Sequence, residues 1–120
     1  MNNLQIKTNP EVNLVFERYP EAIQRQMQTL RNLIIESAKE WDAIKSLEET
    51  LKWGESSYLT KHRSTIRIDW KPKRPNQYAL YFKCTSRLER LFKSYLNTYL
   101  NLKGNEQSFF KFKARFLKKN

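Results

Sequence analysis

Residues 48–84, EETLKWGESSYLTKHRSTIRIDWKPKRPNQYALYFKC, constrain the fold more than any other stretch, because most of their side chains alternate with the period of a β-strand. In 65–71, Ile66, Ile68 and Trp70 fall on one face, and Thr65, Arg67, Asp69 and Lys71 on the other. In 77–84, Tyr78, Leu80, Phe82 and Cys84 share a face, with Ala79, Tyr81 and Lys83 opposite. The segment between them, from Pro72 through Pro75 to Asn76, reads as a turn. Residues 46–61 carry Leu47, Thr50, Leu51, Trp53, Tyr58 and Leu59, and read as a turn of helix leading into a strand. Gly54, one of only two glycines, marks a bulge or a close backbone approach there. The block predicts three consecutive strands. Connections this short cannot hold crossover helices, so the strands form an antiparallel meander.

Helical periodicity flanks the block. Asn9 can cap a helix that Pro10 and Glu11 begin, and Val12, Val15, Phe16 and Tyr19 form its apolar stripe. Pro20 ends that helix and starts a second, on which Ile23, Met27, Leu30, Ile34, Ala38 and Trp41 recur at helical spacing. After the block, Thr85-Ser86 offers an N-cap for a helix over 86–100 carrying Leu88, Leu91, Phe92, Tyr95 and Tyr99. The tail fits two descriptions. Phe110 and Phe112 alternating with Lys111 and Lys113 suit a strand, whereas Phe109, Phe112 and Phe116 suit one side of a helix.

A chain of 120 residues is expected to form one domain over 1–120. Its 13% aromatic content separates it from disordered chains, which lack such residues. No apolar run approaches the roughly 18 residues of a membrane span, and residues 1–13 lack the pattern of a secretory signal. The single cysteine, Cys84, permits no intrachain disulfide, which suits a cytoplasmic protein. Net charge is +11, unevenly placed: residues 1–55 hold 7 Lys/Arg against 9 Asp/Glu, and residues 56–120 hold 16 against 3. Such asymmetry points to an acidic partner: an acidic protein or ligand, nucleic acid, or an anionic membrane surface met by the tail KFKARFLKK.

Catalytic sets are scarce. One histidine, His62, in a polar turn, and one cysteine on an apolar strand face cannot make a structural zinc set or a CxxC pair. The two glycines lie fifty residues apart, so no phosphate-cradling glycine loop exists. Glu36, Glu40 and Glu48 are the carboxylates nearest a weak cation site, since Glu36 and Glu40 share a helix face at i,i+4. The basic half interleaves charge with aromatics. Arg67, Lys71, Tyr81 and Lys83 share the polar strand face, whereas Tyr58, Trp70, Tyr78 and Phe82 suit the core, leaving Tyr81 as an exposed platform of the kind used by single-strand binders.

Residues 49–71, ETLKWGESSYLTKHRSTIRIDWK, with 77–85, QYALYFKCT, resemble the bacterial YdhG-like family of domains of unknown function. Some of its members are labelled frataxin-like intracellular iron chaperones. The resemblance is strongest over 48–107 and includes a motif similar to W-G-x-P-x-Y. Here Trp53, Gly54 and Tyr58 match, Ser56 stands in the proline position, and Lys61 matches a lysine after the motif. Around Gly104 and Asn105 the flanking charges are reversed relative to the family pattern. The family's closing strand and C-terminal helix have little room before Asn120, which would leave sheet cover to a neighbouring chain and favour a homodimer.

The resemblance implies an α+β fold: two N-terminal helices packed on an antiparallel sheet of about four to five strands, with a helix inserted after the third. It implies no enzyme, and iron as the one candidate cofactor. The expected function is therefore a non-enzymatic binding or adaptor domain, with iron chaperoning as its family-derived version. Its ligand would meet Trp53, Gly54, Tyr58, Lys61, Arg67, Lys71 and Lys83. The alternative is a basic nucleic-acid-binding module.

Overall fold

The computed structural model of the protein describes residues 4–62, 64–75, 77–82, 86–103 and 111–115. Its elements are, in order, β1 (Gln5–Thr8), α1 (Glu11–Arg18), α2 (Glu21–Glu40), β2 (Ser46–Lys52), β3 (Glu55–Leu59), β4 (Thr65–Asp69), β5 (Gln77–Tyr81), α3 (Arg87–Lys103) and β6 (Lys111–Arg115). The chain is α+β, and its six strands lie side by side in chain order in one sheet. The meander β2–β5 is antiparallel throughout, as the short connections require. Both edges differ from the all-antiparallel expectation: β1 runs parallel to β2, and β6 parallel to β5. The cause is the helices between them, because a helical crossover returns the chain in its original direction. The tail's choice between strand and helix falls to the strand over 111–115.

A second difference lies in residues 46–61, where a helical turn was expected. Two strands form a tight hairpin instead. Trp53 (φ 53°) and Gly54 (φ 76°) are both left-handed and sit between the paired residues Lys52 and Glu55. Positive φ at both central positions is the signature of a two-residue type I′ turn, whose twist matches that of the flanking strands. Gly54 is therefore a turn residue rather than a bulge. Nothing lies within 4 Å of where its side chain would begin, so its requirement is purely one of backbone conformation. Gly54→Ala should lower stability by about 1 kcal/mol, read from the urea midpoint at unchanged m-value.

The helices start as the sequence implies. The Glu11 N–H donates to Asn9 Oδ1 at 3.0 Å. At α3, Ser86 and Glu89 form a reciprocal capping box: the Ser86 N–H donates to Glu89 Oε1 (3.0 Å) and the Glu89 N–H to Ser86 Oγ (3.2 Å). α2 and α3 bury Met27, Leu30, Ile34, Leu88 and Phe92 against Leu47, Tyr58, Ile66, Ile68, Tyr78, Leu80 and Phe82 of the sheet. Each such side chain contributes about 1.5–3 kcal/mol of transfer free energy. The Cys84 assignment falls outside the described residues, as do Gly104 and Asn105.

Candidate functional site

Strand register sorts the sheet into two faces. One carries the apolar residues covered by α2 and α3. Across the other, Thr50, Ser57, Arg67, Tyr81 and Arg115 occupy one row of register positions, and Lys7, Glu48, Leu59 and Thr65 another. The β2–β3 turn projects Trp53 into solvent at 82% exposure, far more than any other Trp in the chain. Its ring nevertheless has a fixed neighbour. The Arg67 guanidinium carbon lies 4.8 Å from the Trp53 ring centre and 4.7 Å from that of Tyr81, so the cation is held between two aromatic rings.

Carboxylates beneath this cluster hold it in place. Arg67 Nε lies 2.6 Å from Glu55 Oε1. Lys71 Nζ lies 2.5 Å from Asp69 Oδ2 and 3.4 Å from Glu55 Oε2, while Tyr19 donates its hydroxyl to Asp69 Oδ1 at 2.9 Å. Burial, then the nearby Asp69 charge, pushes the Glu55 carboxyl above its usual range, against the pull of Arg67 and Lys71. Burial and Asp69 likewise raise the Tyr19 phenol, which therefore stays a proton donor. The hydrogen bond to Asp69 keeps the exposed Lys71 ammonium charged. The arrangement is an ion-paired, aromatic surface, with two cations held against two carboxylates, and it contains no nucleophile–base pair.

The polar residue that matters most to the fold sits on the opposite face. Glu49 is 1% exposed and occupies a core-facing position between Leu47 and Leu51. It accepts from Arg31 Nε (2.5 Å) and Nη2 (3.0 Å), from the Tyr58 hydroxyl (2.8 Å) and from Thr8 Oγ1 (2.9 Å). Burial alone would raise the Glu49 carboxyl, but these donors together bring it below its ordinary value of 4.5. A depressed folded-state pKa contributes stability that is present above the unfolded value and lost as pH falls through the folded one. Glu55, raised, contributes with the opposite sign. The Glu49 contribution should therefore be lost below about pH 4.5, and Tyr58→Phe, which removes one donor to Glu49, should make stability less sensitive to acid when urea midpoints are compared between pH 7 and pH 3.

The residues singled out from sequence end up in three places. Trp53, Gly54, Arg67 and Lys71 gather at the hairpin surface. Tyr58 is fully buried and serves the core through Glu49. Lys61 lies at the far end of the hairpin, in the turn after β3, where Lys7, Ser46, Glu48, Leu59 and Thr60 line a groove with it. Lys83 falls outside the described residues. Glu36, Glu40 and Glu48 do not converge: Glu36 pairs with Lys39 at 3.6 Å, Glu40 accepts from the Tyr95 hydroxyl, and Glu48 is on β2. Among the described residues, no three His, Cys, Asp or Glu side chains stand together as metal ligands. No described helix is long and apolar enough to cross a membrane.

Sequence reasoning missed Glu55, Asp69 and the Glu49 network. The Trp53-Gly54 dipeptide was the available signal: read as a two-residue turn, it pairs Lys52 with Glu55, whose contact with Arg67 then follows from the separate β3–β4 register. No family model, curated protein or solved structure matches this chain.

Proposed function

We propose that this protein is a non-enzymatic, divergent YdhG-like binding domain that takes single-stranded nucleic acid on the Trp53–Arg67–Tyr81 surface. The observation that carries this reading is an arginine fixed between two aromatic rings, one of them 82% exposed, in a chain of net charge +11. Sequence-tolerant single-strand binders combine the same two parts, rings on which bases stack and cations that follow the phosphates. The outer face of Trp53 is free to stack a base. In β6, Lys113 and Arg115 hold the register positions paired with Ala79 and Tyr81.

A second reading, an acidic protein partner, draws on the same residues, because Trp, Tyr and Arg are the side chains enriched at protein interface hot spots. Fluorescence anisotropy with a labelled single-stranded oligonucleotide separates the two. The nucleic-acid reading expects saturable binding at about 50 mM salt that weakens steeply with added salt and by at least about tenfold in Trp53→Ala. Binding that Trp53→Ala leaves unchanged reflects bulk charge alone and overturns it.

A further inference from the structure

The opposite end of the hairpin holds a second cationic feature that the Trp53 surface does not use. Two adjoining grooves, about 280 Å³ and 180 Å³, share Ser46 and Lys61. Lys7 and Glu48 line the first, and Lys45 and His62 the second. The first alone approaches, and the two together exceed, the lower end of the volumes that small ligands occupy, roughly 300 Å³.

Three lysines from three separate segments thus converge: Lys7 from β1, Lys45 from the α2–β2 connection and Lys61 from the β3–β4 turn. None of them is ion-paired among the described residues, and all three are exposed. Glu48 is the one carboxylate lining either groove, so the local balance is cationic. Like charges gathered this way repel, and an anion between them relieves the repulsion.

The backbone around the lysines is well tied. The Gln5 N–H donates to the Lys45 carbonyl at 2.9 Å, joining β1 to the segment before β2. Thr60 Oγ1 accepts from the His62 N–H (3.2 Å) and the Ser64 N–H (3.3 Å), which shapes the turn presenting Lys61. Thr60 and Ser46 both line the first groove, so each brings a hydroxyl to it. Lysine ammonium groups with hydroxyl donors form the donor set that phosphate oxygens require. The exposed His62 lines the second groove, with its ring 5.0 Å from that of Trp41 at a tilt of 43°, and such a ring can stack a planar group.

We propose that this notch is a phosphomonoester site, with Lys7, Lys45 and Lys61 holding the phosphate, and that the His62–Trp41 pair suits it to a mononucleotide. The site stands whether or not the Trp53 surface binds nucleic acid, because the two lie at opposite ends of the β2–β3 hairpin. Calorimetric titration of the full chain with adenosine 5′-monophosphate, adenosine and inorganic phosphate tests it. The nucleotide should saturate with a Kd of about 0.1–1 mM, and adenosine should bind at least about tenfold more weakly. Lys7→Ala/Lys61→Ala should weaken the nucleotide about tenfold or more. The charge-matched Arg18→Ala/Arg25→Ala variant, on exposed helix positions, should bind as the parent does. Absence of saturation by about 10 mM of either phosphate compound overturns the proposal. So does adenosine binding as tightly as its phosphate, or equal weakening in both double variants. All of the substituted positions are exposed, and a thermal melt of each variant confirms that the folded chain is being measured.

Discussion

Glu49→Ala should destabilise the fold by about 3–5 kcal/mol, the range for removing one partner of a buried, hydrogen-bonded ion pair. The reason is what the carboxylate leaves behind. Tyr58 is fully buried, and its hydroxyl loses its acceptor. Arg31 loses both of its bonds, and Thr8 loses the contact that ties β1 to the core side of β2. A domain of this size has about 5–15 kcal/mol to lose, so the variant should melt far below the parent or fail to fold. The origin of the effect can be checked by a double-mutant cycle. Arg31→Met in the Glu49→Leu background should recover part of the loss, because an apolar pair can replace a buried ion pair of similar volume. If Arg31→Met costs the same with and without Glu49, the two side chains are not coupled.

Trp53→Ala should do the reverse: leave stability within about 0.5 kcal/mol of the parent while weakening oligonucleotide binding by at least about tenfold. An 82% exposed ring contributes little burial, so the fold does not depend on it. Its ligand contribution is large because stacking one base on an aromatic ring is worth about 1–3 kcal/mol. Tyr81→Ala should act in the same direction, with some loss of stability, since this ring is half-buried and also flanks Arg67. The contrast between Trp53 and Tyr58, five residues apart, gives the sharpest check. Tyr58→Ala should unfold the chain, and its loss of binding would say nothing about the surface. Paired urea melts and anisotropy titrations on the two variants separate packing from recognition. An unaltered oligonucleotide affinity in folded Trp53→Ala protein would leave the nucleic-acid reading without support.

Most of the secondary structure was legible because local rules and tertiary burial agree. Ile66 and Ile68 on β4, and Tyr78 and Leu80 on β5, fall at every second position, and all four are fully buried. The Ser86–Glu89 capping box and the Asn9-Pro10 start likewise lie where the sequence predicts helix openings. Legibility failed on β2 for a physical reason. Its core-facing positions read Leu47, Glu49, Leu51, and a charged residue in the central apolar slot disguises the period of the strand. That glutamate is tolerable only because Arg31 and Thr8, 18 and 41 residues away in the chain, reach it. No local window contains that information.

By itself the sequence determined the α+β class, the antiparallel meander, the apolar faces of α2 and α3, and the cationic character of the second half of the chain. These follow from periodicity, capping and composition, which act over a few residues. Only the tertiary structure decided that β1 and β6 add parallel edges. It alone placed Trp53 in water, set Arg67 between two rings from a turn and a strand, and brought Lys7, Lys45 and Lys61 to two adjoining grooves. Each of these depends on crossovers and strand register, which join residues far apart in the chain. The alternation in residues 48–84 says which side chains share a face, whereas the register of their neighbours says what that face can hold.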